Sequence, residues 1–498
     1  MSKPSTIASR QPVIAILGHV DHGKSSLLDY IHKTNVVDGE AGGITQGISA
    51  YEAVVDGRNI TFIDTPGHEA FQHMRERGVE IADIAVLVVS AEDGVKTQTL
   101  QAYKAISERN IPYIVAINKI DKPGADVERV KLNLVENGIY LEGLGGDVPY
   151  VAISAKMGTN VPELLENIIL IHDMHAKSFD PKAEATGQVL ESFVDAKRGI
   201  SATLVIRDGV LPASGAILAG TAYSPIRIVE DFKGKPIKNA HAGQAVKVTG
   251  FDEIPKAGSI FISSADKKQI EKLQTEEKEN TKKVVLDPKI YRNAKVVIPV
   301  IIKAKTIGSI EAIKYELKKC ETDDLKIKIL VEAVGNVSEG DIMLASGDEK
   351  TIILGFEVAL EPKARDQADR FNMKPQIFDI IYKLSEWFQE QVEDRMPFEE
   401  VETVLGSLKV LKTFNTDKDK HVVGGKVTEG TIKDNAQVKI VRRDFEIGKG
   451  RVTQLQSMKM KTKEVMEGNE CGIEIETKHE IIPGDTIVAY LVEKKKLV

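Results

Sequence analysis

An apolar run, Val13 to Leu17, passes directly into Gly18-His19-Val20-Asp21-His22-Gly23-Lys24-Ser25, and Leu27-Leu28 then opens a helical stretch. Strand, glycine-rich loop and helix in that order leave few folds available, because loop amides and a helix N-terminus must converge on one phosphate beside a strand end. Glycine is needed where amides turn inward, Lys24 neutralises the β and γ oxygens, and the Ser25 hydroxyl is offered to Mg²⁺. The expected phosphate cradle is therefore Gly18, His19, Val20, Asp21, His22, Gly23, Lys24 and Ser25 with the adjoining Ser26. Further short apolar runs, Ile60 to Ile63, Ile84 to Val89, Tyr113 to Ile117 and Val151 to Ile153, alternate with polar segments of helical length. That alternation predicts a mostly parallel sheet covered on both faces.

Three more motifs stand at the ends of those runs. Asp64-Thr65-Pro66-Gly67-His68 follows Ile60 to Ile63; its carboxylate can hold a water of the Mg²⁺ shell and Gly67 can present an amide to a γ-phosphate. Asn118-Lys119-Ile120-Asp121 follows Tyr113 to Ile117. The Asp121 carboxylate can accept two hydrogen bonds from guanine, a donor pair that adenine lacks. Ser154-Ala155-Lys156 follows the last run and can supply a backbone N–H to the guanine carbonyl. Four ordered elements at four strand ends select GTP over ATP.

At 498 residues the chain has length for about three domains. After Asp180-Pro181 the texture becomes short β-rich pieces with frequent glycine, Gly187 to Phe193, Ala202 to Arg207 and Gln244 to Thr249, which read as a β-barrel over 182–264. The Lys- and Glu-dense residues 265–292 read as a charged linker or solvated helix. A second α/β unit occupies 293–375, with strands Val296 to Ile302, Leu325 to Val334 and Thr351 to Val358 around helices Ser309 to Lys319 and Ser338 to Ala345. Ile377, Ile380, Ile381, Leu384, Trp387, Phe388 and Val392 recur at helical spacing and predict one connecting helix over 376–396. Val- and Gly-rich residues 400–498 read as a second barrel, and 1–11 as a flexible terminus. Acidic residues outnumber basic ones, 74 to 67, so charge alone does not coat nucleic acid. With 5% aromatics and a single tryptophan, stacking platforms are scarce. Cys320 and Cys471 match no metal or disulfide spacing and suit a reducing compartment.

Gly18 to Lys24, Ala41-Gly42-Gly43-Ile44-Thr45-Gln46, Asp64 to Phe71 and Asn118 to Pro123 resemble the GTP-binding domain of the bacterial translation initiation factor 2 family. The resemblance continues through Val189-Leu190-Glu191-Ser192, Val334 to Asp341, Ile353 to Val358, Val427-Thr428-Glu429-Gly430 and Glu470-Cys471-Gly472-Ile473, and covers nearly the whole chain from Pro12. It implies a multidomain α/β and β architecture: a P-loop GTPase domain over 12–178, a β-barrel, an α/β/α sandwich, a connecting helix and a terminal barrel that holds formylmethionyl initiator tRNA. It implies Thr45 as the switch threonine on Mg²⁺, His68 as the group that orients the attacking water, Val20 and Ile44 as an apolar gate around it, and Asp21 beside a monovalent cation, K⁺ or Na⁺. In the terminal barrel it implies Glu470, Cys471 and Gly472 at the tRNA pocket. The expected activity is ribosome-dependent hydrolysis of GTP to GDP, with delivery of initiator tRNA to the small subunit and promotion of subunit joining. Expected partners are both ribosomal subunits, initiator tRNA and other initiation factors, with neither membrane nor DNA, for a cytoplasmic monomer. The competing readings are an elongation-type GTPase carrying another aminoacyl-tRNA and a nucleotide-binding RNA module without stimulated hydrolysis. The chain departs from the family at Lys303-Ala304-Lys305, where Lys-Ala-Asp is frequent, at Gly425, a cysteine position, and at Gln456-Ser457-Met458-Lys459, a basic-aromatic stretch. The family's long N-terminal extension is not seen, and no function tied to it is expected.

Overall fold

The structure, a computed structural model, describes residues 8–32, 44–175, 177–195, 197–280, 294–396, 398–417, 419–458 and 460–496. Ala41 to Gly43, the end of the charged segment and Lys459 lie outside the described residues. The chain divides into two compact units, Met1–Glu390 and Gln391–Val498.

In the first unit the alternation of apolar runs builds a six-stranded sheet from β1 (Val13–Gly18), β2 (Ser49–Val55), β3 (Arg58–Asp64), β4 (Ile84–Ser90), β5 (Tyr113–Asn118) and β6 (Tyr150–Ala152). Its order is β2-β3-β1-β4-β5-β6, parallel throughout except for the β2–β3 hairpin. Because side chains alternate across a strand, Ile14 and Ile16 face a core with Leu27, Leu28, Leu164 and Ile168. Ala15 and Leu17 face the other core, with Leu87, Ala102, Ile106, Val130 and Leu134. Helices α1 (Lys24–His32) and α5 (Val161–Met174) therefore cover one face, and α2 (Gln72–Ile81), α3 (Thr97–Arg109) and α4 (Val127–Glu136) serve the other. Each fully buried Ile or Leu contributes about 1.5–3 kcal/mol. All four motifs consequently stand at the carboxyl ends of strands of this sheet, three of them interior and the last, β6, at its edge.

A seven-stranded antiparallel sheet follows, including Thr186–Asp195, Gly199–Asp208 and Ala245–Thr249, around Val189, Leu204, Ile206, Val246 and Phe261. The charged segment is not a free linker where it is described: Lys267–Asn280 is a helix whose Ile270 is buried against Ala216 and Leu218 of that sheet. A four-stranded parallel sheet is then built from Leu325–Val334, Val296–Ala304, Ile352–Phe356 and Gln376–Phe378, in that order.

Two expectations are corrected. Residues 376–378 are not the start of the connecting helix but a strand parallel to Ile352–Phe356, and the helix runs Ile381–Arg395. The apolar spacing is the same in both readings, but the sheet edge offers ladder partners, and Gly355 leaves room for Ile377, whose Cδ1 lies 2.3 Å from where a Cβ would stand. Near the N-terminus, Ala8–Ser9 pairs with Ser178–Phe179 instead of remaining flexible.

The second unit is a ring of six strands. Phe398–Asp417 pairs with Thr486–Lys496, then Gln437–Arg442, Phe445–Ser457, Glu470–Glu476 and Lys420–Lys433 follow, and the last pairs back to the first. Closure removes open edges around Leu408, Val423, Val438, Ile440, Ile473, Ile475 and Ile487. No described helix is long and apolar enough to cross a membrane.

Candidate functional site

Beyond the end of β1 lies a cavity of about 220 Å³, bounded on one side by Val20, Asp21, Gly23, Lys24, Ser25 and Ser26 and on the other by Ile44, Thr45, Gly67, His68 and Lys119. A larger cleft of about 960 Å³ lies apart from the cradle, between Tyr51, Arg198, Lys247, Lys305 and Glu357. The cradle is tightly built. Gly18 and Gly23 sit at φ +147° and +89°, and a Cβ at Gly23 would lie 2.3 Å from Asn118 Nδ2. At Gly67 it would lie 2.6 Å from Lys24 Nζ, so the Asp64–His68 turn presents backbone to the lysine. Lys24 Nζ also donates to the His19 carbonyl at 2.8 Å, which fixes the ammonium over the loop.

Ser25 Oγ and Thr45 Oγ1 approach to 2.8 Å across the cavity. Adjacent oxygen ligands of an octahedral Mg²⁺, each at 2.0–2.1 Å from the ion, stand about 2.9 Å apart, so the two hydroxyls fit that ion. Asp64 ends β3 and is buried. Asp21 lines the cavity at φ +64°.

Base-side residues form a brace. Asn118 is buried; its Nδ2 donates to the His22 carbonyl at 2.8 Å, and its Oδ1 accepts from the Lys119 and Ala155 amides at 2.8 and 2.9 Å. It therefore ties three loops together, and of the Ser154-Ala155-Lys156 amides expected to face guanine, that of Ala155 is bonded to Asn118. Asp121 is exposed, and its Oδ1 accepts from Ser154 Oγ at 2.6 Å, which holds the carboxyl below its ordinary range. Ser154 thus acts through its hydroxyl as well as its backbone. The His22 ring is buried, its centroid 4.9 Å from that of His19, and burial with the neighbouring His19 brings its pKa down to about 3. Gly18, His19, His22, Asp64, Asn118, Asp121 and Ser154 to Lys156 do not line the cavity.

His68 lies at the cavity's rim. Its Nδ1 accepts from the Ala70 amide at 3.0 Å, so the neutral ring carries its proton on Nε2. Burial, the largest influence, lowers the imidazole pKa and keeps the ring neutral. Its ring meets Tyr382 edge to face, with centroids 4.3 Å apart and an interplanar angle of 90°. Val20 and Ile44 line the same cavity.

Three residues that no motif marks, Arg75, Gln98 and Tyr382, and Gln46 at the end of the 41–46 stretch, complete the site. The buried Arg75 donates Nη1 to the carbonyls of Pro66, Gly67 and His68, and Nη2 to Gln101. Burial brings its pKa down to about 10, which leaves the guanidinium charged at neutral pH. Gln98, in the first turn of α3, accepts from the Val20 amide at 2.9 Å. Gln46 and Tyr382 join the loops to the helix Ile381–Arg395. Their separation in sequence leaves no local signal.

In the second unit Glu470, Cys471 and Gly472 do not share a surface. Cys471 turns into the barrel core, 6% exposed, and burial pushes its thiol up to about 11, whereas Glu470 is exposed and Gly472 faces open space. Alternation explains this and was a readable signal: Cys471 is in phase with Ile473 and Ile475.

Comparison with known proteins places these elements in sequence families. The family model described as Elongation factor Tu GTP binding domain matches residues 9–173, Elongation factor G domain 2 matches 184–264, Translation-initiation factor 2 matches 270–389, and Elongation factor Tu domain 2 matches 420–488. Translation initiation factor IF-2 of Carboxydothermus hydrogenoformans is 39% identical over 99% of this chain and 61% of its own length. The protein of that name from Bacillus licheniformis is 38% identical over 97% of this chain and 69% of its own. Another, from Acetivibrio thermocellus, is 40% identical over 98% of this chain and 48% of its own. The chain thus spans roughly half to two thirds of the length of the curated relatives it matches.

Proposed function

The chain belongs to the translation initiation factor IF-2 family, and from that premise we propose that it is a ribosome-dependent GTPase that brings formylmethionyl initiator tRNA to the small subunit and promotes subunit joining. The observation that carries this reading is the paired approach of Ser25 to Thr45 and of Gly67 to Lys24 around one phosphate-sized cavity. Lys24 meets the β and γ oxygens, and Asp121, held ionised by Ser154, accepts the two guanine donors. Ser25 and Thr45 hold Mg²⁺ directly, and Asp64 holds it through water; the ion, when bound, neutralises charge on the leaving phosphate. Asp21 is the residue for K⁺ or Na⁺.

His68 orients the attacking water, and Val20 and Ile44 keep bulk solvent from it. Because its Nδ1 is held by Ala70, the free Nε2–H is a donor, which suits orientation and not proton abstraction. In the terminal barrel the exposed Glu470 and the half-buried Gly472 are read as facing the aminoacyl end of the tRNA, with Cys471 supporting the strand from inside. The site of action is the cytoplasm, on both subunits, alongside other initiation factors. The decisive experiment is GTP turnover with and without ribosomes, repeated with formylated and unformylated initiator tRNA. Strong stimulation by ribosomes together with preference for the formylated form is expected; tight GTP binding without stimulation would leave a nucleotide-binding RNA module instead.

A further inference from the structure

Arg75, on α2 and 2% exposed, gathers three consecutive carbonyls of the loop that precedes its own helix. Its Nη1 donates to the Pro66 carbonyl at 3.3 Å, to that of Gly67 at 3.1 Å and to that of His68, while Nη2 donates to Gln101 Oε1 on α3 at 3.2 Å. Burial brings the pKa down to about 10, so the guanidinium keeps its charge at neutral pH and these bonds are charge-assisted. In a trans peptide the N–H lies opposite the C=O of the residue before it. With the Pro66 and Gly67 carbonyls turned to Arg75, the amides of Gly67 and His68 are therefore turned away from it, and both residues line the nucleotide cavity. Gly67 is buried, and neither amide has a hydrogen-bond partner among the described residues. A buried backbone N–H without a partner is rare and costly, and successive amides directed to one side form an anion cradle.

We propose that Arg75 is a positioning residue for the terminal phosphate: by holding the 66–68 carbonyls on one side of the loop it keeps the Gly67 and His68 amides directed at the γ-phosphate, and so sets how strongly the site favours GTP over GDP. The proposal rests on the reading of Gly67 as the residue whose amide meets that phosphate. Arg75 does not line the cavity, so it acts through the loop backbone and not by its own contact with the nucleotide. GDP ends at the β-phosphate, which the 18–25 loop and Lys24 hold without this turn, so the loss of Arg75 falls on GTP alone. Gln101 ties the guanidinium to α3, which keeps the arginine from following the loop if the loop shifts.

The test is equilibrium binding of GDP and of the slowly hydrolysed GTPγS, each with Mg²⁺, to the full chain and to Arg75→Met, Arg75→Lys and Gln101→Leu. Arg75→Met, similar in length but without donors, should weaken GTPγS about tenfold or more and leave GDP affinity unchanged, which also reports that the domain is folded. Arg75→Lys, still able to donate to the carbonyls, should recover most of that loss. Gln101→Leu leaves the charge in place and removes its anchor, so a loss of about two- to fivefold confined to GTPγS is expected. Equal losses for the two nucleotides, or no loss for GTPγS, overturns the proposal. Should Arg75→Met fail to fold, Gln101→Leu decides by the same two criteria. NMR of glycine-labelled protein separates this proposal from the reading beneath it. If the Gly67 amide signal is the same with GTPγS as with GDP, the role of Gly67 fails and the proposal with it; if the signals differ while Arg75→Met binds both nucleotides normally, only the role of Arg75 fails.

Discussion

On the proposed reading the choice of purine rests on a single exposed carboxylate, Asp121, whose pKa the Ser154 hydroxyl lowers. In Asp121→Asn one acceptor becomes a donor, so preference should move from guanine toward xanthine, with GTP binding weakened about tenfold or more. Competition among GTP, ATP and XTP reads this directly, and unchanged preference removes Asp121 from the base pocket. The pH dependence follows from the lowered pKa. The acceptors persist at every pH above that value, so discrimination against ATP should hold on acidification until below the ordinary carboxylate range. Ser154→Ala removes the hydroxyl that stabilises the anion and should make discrimination fail at higher pH than in the unaltered chain. His68→Ala should leave GTP affinity close to unchanged, since Lys24 and the loop amides remain, while ribosome-stimulated turnover falls about a hundredfold or more. These residues were legible because their chemistry is local: the glycines of 18–23, Lys24, Asp64 and Asp121 work at fixed short spacings. Arg75 and Gln98 were not, because an arginine and a glutamine on amphipathic helices read as surface until tertiary contact turns them onto the 66–68 carbonyls and the Val20 amide.

Among elements, the helix start at 379–381 makes two hydrogen bonds with a single side chain, Gln46. Gln46→Ala removes a donor and an acceptor together and leaves the Asp379 carbonyl and the Ile381 amide short of partners. A loss of about 1–3 kcal/mol in stability of the first unit is expected, measured by chemical unfolding of the chain with fluorescence of Trp387, on the same helix. An unchanged midpoint would mean that water replaces the glutamine without cost. The element scale also shows where periodicity misleads. Ile377 and Ile381 lie four apart and suit one helical stripe, yet the first pairs in a strand and the second is buried at a helix start. A parallel sheet edge formed by residues some twenty positions earlier decided between them, through ladder hydrogen bonds that no local pattern records. Lys267–Asn280 gives the converse case: its composition is that of a solvated helix, yet Ile270 is buried on the sheet with Leu273 beside it, and Gln274 bonds to the Thr221 carbonyl and Asp252.

For the molecule as a whole, the second unit has its own core and a ring with no unpaired end among its six strands, so residues 391–498 should fold alone and unfold cooperatively. Its function separates from that of the first unit. Gly472→Phe adds a ring where a Cβ meets nothing within 4 Å, so the barrel should stay folded while protection of the formylmethionyl ester from hydrolysis is lost and GTP turnover persists. Protection equal to that of the unaltered barrel would take Gly472 out of the tRNA surface. Cys471→Trp is a poorer probe, because overpacking the barrel core costs about 1–3 kcal/mol. The sequence by itself determined the parallel sheet, the order of loops around the phosphate and the two β-rich regions, since strand alternation and glycine-dependent turns act over a few residues. Tertiary structure alone decided how Asn118 divides its bonds among three loops and that Tyr382 meets His68. Those outcomes depend on tertiary pairing, where the free energy lies in contacts between segments that are tens to hundreds of residues apart and leaves no period in the chain.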